Sequence, residues 1–336
     1  MLEKRLGKQS VQLQKPPTIA ATASIVGPKE GKGPLASYFD QTLEDELWGE
    51  KSWEMAESKL IRETLAKMTA KGMISVSGLD YILAGDLLNQ CIAASFGLRE
   101  SEVPLFGIYG ACSTMGETMS LGAMLIDGGF ATNVGCMTSS HFCSAERQFR
   151  FPLELGSQRP PTAQWTVTGA GGALLSSEGN GPYITKITTG KIVDMGIKDQ
   201  NNMGAAMAPA AADTIFAHFE DTGLPQDYYD MVVTGDLGQI GSEILDDLLS
   251  SNGIRIGGKL NDCGLMIFDK TQDAHAGGSG CGCSAAVFAG FLYDRLKKGK
   301  IKKLLFVPTG ALLSPTSVQQ GETIPCIAHA LSIENG

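Results

Sequence analysis

Short apolar runs alternate with longer stretches of helical periodicity along most of this chain. The first run, Thr18 to Val26, is β-prone and predicts a strand. A Gly/Pro/Lys loop at 27–34 and a polar segment to about Lys51 follow, and these read as an irregular excursion over a surface or pocket. Ser52 is placed to N-cap a helix whose Met55, Leu60, Ile61, Leu65 and Met68 fall at helical spacing. Next come a strand at 81–85, a helix at about 87–96 stopped by Gly97, and a short strand at 106–109. A helix through Met115, Met119, Leu121, Met124 and Ile126 leads to a strand at 132–138. A long loop from Ser139 to Pro161 and a glycine-interrupted strand at 166–176 close this half. The order then repeats. Strand 183–188, helix 210–220, strand 231–235 and helix 243–249 are followed by strand 264–268, a glycine loop, helix 284–298 and strand 303–307. Such alternation predicts an α/β fold of mostly parallel sheets covered by helices.

Identical words mark the repetition. Gly85-Asp86-Leu87 returns as Gly235-Asp236-Leu237, an offset of 235 − 85 = 150. Cys112-Ser113 returns as Cys283-Ser284, an offset of 283 − 112 = 171, and Thr138 and Thr309 keep the same 171. A period this long implies a duplicated half-domain rather than a solenoid. The expected division is 1–179 and 180–336, related by a pseudo-twofold axis.

Composition narrows the function classes. The 336 residues are 43% hydrophobic and 19% charged, as in a globular protein with a large core. A net charge of −9 argues against a nucleic-acid partner. One dense basic cluster, from Arg295 to Lys303, falls at a predicted helix C-terminus, where cations complement the macrodipole; a partner or anionic-membrane patch is the alternative. No stretch has the ~18–20 apolar residues of a membrane span, and the charged N-terminus lacks a signal-peptide core. Eight cysteines without such a signal read as reduced thiols. Cys281-Gly282-Cys283 is too tight for a zinc half-site, so no metal is expected.

The Gly-Ala-Cys-Ser turn at 110–113, the two Gly-Asp-Leu strand ends and the glycine-rich helix start at 277–284 together resemble the thiolase fold. That resemblance covers nearly the whole chain and implies two pseudo-symmetric βα halves in a five-layer αβαβα sandwich. It also implies a homodimer joined through the strand next to the nucleophile, here around Thr132–Thr138. Longer words, among them Gly110-Ala111-Cys112-Ser113-Thr114, Ala145-Glu146-Arg147-Gln148-Phe149-Arg150 and Thr309-Gly310-Ala311-Leu312-Leu313-Ser314-Pro315-Thr316, are similar to a sporulation-protein family of endospore formers built on this fold. This narrower resemblance implies a dipicolinic acid-binding protein that helps load the ligand into the forespore without a cofactor. It further implies work beside membrane proteins of the same operon, which would hold it at the inner spore membrane.

Cys112 is the leading site candidate. A cysteine at a helix start has its thiolate favoured by the dipole and free N–H groups, and thiolases place their acyl-accepting cysteine there. The plain alternative is a small buried thiol filling space. Condensing enzymes of this fold supply a histidine after the second-half strand and an Asn or His at the glycine loop. This chain has Gly235-Asp236-Leu237-Gly238-Gln239 and Gly277-Gly278-Ser279-Gly280 at those places, so it lacks the usual base and oxyanion donors. The expectation is therefore binding without catalysis, with acyl transfer through Cys112 as the alternative.

His141 follows a strand end on the ligand-binding face of such sheets and is expected to line the pocket. His275 could approach Cys112 or be a solvated loop residue, and His218 and His329 read as structural. For a planar aromatic dicarboxylate, cationic forks and helix N-termini are the natural recognisers. Arg147, with Arg150, Lys29 and Lys32 nearby in loops, could fork onto one carboxylate; alternatively Arg147 pairs with Glu146 or Asp213 to brace its loop. Ser113 and Gly278, in the two glycine turns, complete the expected ligand-binding set. Asp86 and Asp236 read as caps of the helices that follow them.

Overall fold

A computed structural model describes residues 4–149 and 159–335. Five strands make the main run of the first sheet: β1 (Thr18–Val26), β2 (Tyr81–Gly85), β3 (Leu105–Gly107), β4 (Asn133–Ser140) and β5 (Gly169–Ser176). Five more make that of the second: β6 (Tyr183–Thr188), β7 (Met231–Gly235), β8 (Leu260–Asp262), β9 (Lys303–Ala311) and β10 (Ala330–Glu334), and three strands of two or three residues pair alongside these runs. Their orders are β3-β2-β4-β5-β1 and β8-β7-β9-β10-β6, the same permutation twice. The sheets touch through a single strand pair, Thr18 with Tyr183. Both are mixed: three strands run parallel, and the two nearest the junction pair antiparallel.

Helices α1 (Trp53–Lys71) and α2 (Ile92–Leu98) cover the outer face of the first sheet. Ser52 caps α1 by accepting the Met55 N–H at 3.3 Å. Helix α3 (Thr114–Asp127) lies between the sheets, and α4 (Phe142–Phe149) follows β4. Helices α5 (Met203–Thr222) and α6 (Gly238–Ser251) cover the second sheet. After the short α7 (Cys263–Ile267), α8 starts at Cys281 beside α3 and continues through a π turn at Phe288–Leu292 to Lys297. Three apolar cores, one central and two outer, thus separate five layers.

Several local expectations change. The run 264–268 is helix rather than strand, because the strand ends at Asp262 and a short buried apolar run fits either state. The loop expected after Ser139 holds α4, which places Arg147 on a helix; Arg150 lies outside the described residues. Strand 132–138 is interior, hydrogen-bonded to β2 on one side and β5 on the other, so it offers no free edge to a second copy. The free edge of the first sheet is β3, and all three of its residues are exposed.

Candidate functional site

The Cys112 turn is a strained corner. Ala111 takes a left-handed φ of +49°, sparsely populated for a side chain with Cβ, and this sets Cys112 at the mouth of α3. Local hydroxyls lock it. Ser113 Oγ donates to the Gly110 carbonyl (2.7 Å), Thr114 Oγ1 donates to that of Ala111 (2.6 Å), and the Gly110 N–H donates to Thr114 Oγ1 (3.1 Å). From the other half, Gly310 presses on the turn so closely that a Cβ there would lie 2.1 Å from the Gly110 carbonyl oxygen. Ser113 is fully buried and its hydroxyl is committed to the turn.

The second half repeats the corner with Gly280 (φ +97°) directly ahead of Cys281. The structural counterpart of Cys112 is therefore Cys281, whereas the word match pointed to Cys283. Cys283 lies inside α8 with its thiol against the Asp236 carboxyl. Cys112 and Cys281 meet in one small apolar cluster with Leu87, Ala111 and Ala145.

A cavity of about 60 Å³ opens against Cys112. Leu87, Tyr109, Phe149 and Leu313 give it apolar walls, and Glu146, Gln164 and Thr166 give it polar ones. That volume is roughly the share of two water molecules. The Cys112 thiol is held well above the usual thiol range, first by burial and then by the Asp236 carboxyl, while a hydrogen bond from the Gly280 N–H pulls the other way. At neutral pH the sulfur is a thiol, not a thiolate.

None of the four histidines lines this cavity. His141 is buried; it accepts the Cys143 N–H on Nδ1 (3.1 Å), so Nε2 carries the proton and donates to the Glu46 carbonyl (2.7 Å). Nε2 thus braces the 43–50 loop while Nδ1 caps the start of α4, and burial lowers the ring's basicity. His218 sits between Thr188 Oγ1 (2.8 Å) and the Tyr229 hydroxyl (2.7 Å), pushed down to about 4 by burial. His329 is likewise lowered to about 4 by burial. His275 pairs with Asp273 at 3.3 Å in an outer groove. Besides the thiol, Tyr109 and Glu146 are the titratable groups in the described wall.

Arg147 also lies outside the cavity. It lines a neighbouring cleft and chelates Glu54 on α1, with Nε 2.9 Å and Nη2 2.5 Å from Oε1, while its guanidinium stacks over Trp53 at 4.9 Å. The brace expected for it exists, but Glu54 is the partner; Asp213 pairs with Lys191 at 2.8 Å. Gly278 stands just behind the wall formed by Ser279 and Gly280, and its carbonyl accepts from Gln164 Nε2. Lys29 stacks over Trp165 at 3.6 Å, and Lys32 is exposed.

Buried acids surround this centre. Glu57 accepts from Ser139 Oγ (3.2 Å) and Ser144 Oγ (2.6 Å), and burial followed by Asp86 pushes it up to about 8. Glu30 is also raised to about 8 by burial. Asp86 caps as expected, accepting the Leu88 and Ala94 N–H groups at 2.8 Å each. Asp236 does not. Its capping work is done by Asp262, which accepts from Leu237 and Gly238 at 3.0 Å each, and neither Asp236 oxygen meets a hydrogen-bond donor of ordinary geometry.

The family model for stage V sporulation protein AD matches residues 7–334. The chain belongs to that sporulation family. It is 45% identical over 331 residues to the stage V sporulation protein AD of Bacillus subtilis (strain 168), covering 98% of each. Among solved structures it is similar to 3-oxoacyl-[acyl-carrier-protein] synthase III from Aquifex aeolicus VF5, at 14% identity and a TM-score of 0.58 over 95% of this chain and 99% of that one. A human mitochondrial 3-ketoacyl-CoA thiolase in complex with CoA is also similar, at 13% identity and 0.57, covering 97% and 99%. These likenesses establish the thiolase-type fold. Among the described residues no helix is long and apolar enough to cross a membrane.

Sequence reasoning found the Cys112 turn and missed most of the wall. Glu146 and Phe149 sit on α4, a helix too short to show periodicity. Gln164 and Thr166 precede a glycine-rich strand and carry no motif.

Proposed function

We propose that this protein is a non-catalytic binder of dipicolinic acid, using the thiolase scaffold to hold the ligand while it is loaded into the developing spore. The observation that carries this reading is the state of Cys112. The strained corner of a condensing enzyme is kept, yet its sulfur is a buried thiol and no histidine stands in the wall to deprotonate it. The ligand class comes from the family. An aromatic diacid needs several times the present volume, roughly the ~300 Å³ at which ligand pockets begin. Binding on this reading requires the apolar wall to open. The protein works as a homodimer through β3, whose edge exposes Leu105 and Phe106 beside Tyr109, a residue that also lines the cavity. Its place is the forespore side of the inner spore membrane, reached through other stage V sporulation A membrane proteins.

Calorimetry with dipicolinate tests the binding reading; a titration without heat or saturation overturns it. Acyl transfer through Cys112 is the competing function, favoured by the Ala111 corner and the Gly280 N–H on the sulfur. Incubation with acyl-coenzyme A and mass spectrometry decides: an acyl adduct on Cys112 would establish that alternative.

A further inference from the structure

The cavity wall contains one polar atom that nothing satisfies. Gln164 is 3% exposed and lines the cavity. Its amide nitrogen is committed twice, donating to the Asp236 carbonyl at 2.5 Å and to the Gly278 carbonyl at 3.2 Å. Those two bonds fix the amide, because exchanging its oxygen and nitrogen would set oxygen against two carbonyls. The remaining atom, Oε1, is buried and has no hydrogen-bond partner. A buried acceptor without a donor is destabilising, so its retention at a cavity calls for an explanation. The wall carries donor-capable groups, among them the Thr166 and Ser279 hydroxyls and the Cys112 thiol, but none of the described ones bonds to Oε1.

We propose that Gln164 selects a ligand that donates a hydrogen bond to its Oε1. For an aromatic dicarboxylate this means binding with one carboxyl protonated and the other ionised. This rests on the binding reading above and adds the protonation state taken. The proton comes from solvent: one carboxylate gains H⁺ and becomes a carboxylic acid, whose O–H then points at Oε1. No bond to carbon changes and no redox partner is needed. The other carboxylate keeps a single negative charge, which is less costly to bury than two.

Ordinary carboxyls titrate near ~4, so above that pH the competent monoanion falls about tenfold per unit, and affinity falls with it. The test uses the unaltered protein and two ligands, dipicolinate and its monoamide 6-carbamoylpyridine-2-carboxylate, whose amide N–H is a permanent donor. Calorimetry at pH 6, 7 and 8, repeated in phosphate and Tris, counts protons exchanged. Dipicolinate is expected to take up about one proton and to lose about tenfold in affinity per pH unit. The monoamide is expected to take up none, to hold constant affinity, and to bind at least tenfold tighter at pH 8. Gln164→Met should erase that preference. Dipicolinate binding with no proton uptake and no pH slope overturns this proposal and leaves the binding reading standing. Absence of heat from both ligands overturns the two together.

Discussion

Glu57 offers the sharpest test of the interior electrostatics. Its carboxyl is fully buried between α1 and the β4–α4 corner, held by Ser139 and Ser144, with Asp86 close enough to discourage a second negative charge. Burial first, then Asp86, raises it from 4.5 to about 8. The folded state thus binds a proton that the unfolded chain releases near 4.5. The stability linked to that proton is complete below about 4.5 and is lost as pH rises through 8. Each such group gives a slope of about 1.4 kcal/mol per pH unit in between, and Glu30, raised to the same value, gives a second. The three lowered histidines act oppositely, but only below about 6.5. From pH 6.5 to 8 the raised carboxyls therefore dominate. Glu57→Gln keeps the size and the serine partners and removes the titration. Urea unfolding at pH 6.5, 7.25 and 8 should show the wild type losing stability more steeply than the variant, by up to about 1.4 kcal/mol per pH unit for the one proton that Glu57 binds. By pH 8 the variant should have gained on the wild type by roughly 2 kcal/mol relative to their difference at 6.5. Parallel pH profiles for the two proteins would refute the protonated, buried state of Glu57.

Arg147→Ala removes a half-exposed ion pair with Glu54 and should cost less than about 1 kcal/mol in a denaturant melt. The same variant should leave dipicolinate affinity within twofold, and a tenfold loss by calorimetry would return Arg147 to the binding site. The proposed β3 dimer predicts that wild type sediments as a dimer in analytical ultracentrifugation and that Phe106→Lys, which puts a charge on that edge, sediments as a monomer; a monomeric wild type, or a variant that stays dimeric, would refute it. Asp86→Gly strands two buried N–H groups and should cost about 2–4 kcal/mol. Asp236→Gly, at the corresponding site of the other half, relieves a left-handed backbone (φ +73°) and removes a buried carboxyl that meets only the weak Cys283 thiol donor, so it should cost much less than Asp86→Gly; equal losses at the two positions in thermal melts would contradict this asymmetry.

The scaffold was legible because strands and long helices leave periodic traces. Strands 81–85, 183–188 and 231–235 fall where apolar runs predicted them. The Ser52 cap was readable from one hydroxyl ahead of a helical pattern. Illegible features were those decided by three-dimensional closeness. Helix α4 spans eight residues and follows a strand directly, so its pattern merges with the loop. Arg147 finds Glu54 at a separation of 93 residues, which no local rule ranks above Glu146. His141 stands at the strand end as expected, but the 43–50 loop takes its Nε2 and the Cys143 N–H of α4 takes its Nδ1.

The two halves show how one architecture came to hold different chemistry. Each ends a parallel strand in Gly-Asp-Leu, and each starts a central helix with a cysteine after a left-handed residue. In the first half, Asp86 spends its carboxyl on the backbone of the segment that follows. In the second, Asp262 arrives from the neighbouring strand and takes that work, leaving Asp236 free beside the Cys283 thiol. A released buried acid cannot ionise cheaply, because burial and Asp262 both oppose the charge. Its carboxyl is therefore a reluctant anion, and where it does ionise its charge pushes the Cys112 thiol up further. Ionising Cys112 would take more than one added histidine. The acid behind the sulfur would also have to remain protonated, since a thiolate and a carboxylate this deeply buried exclude each other.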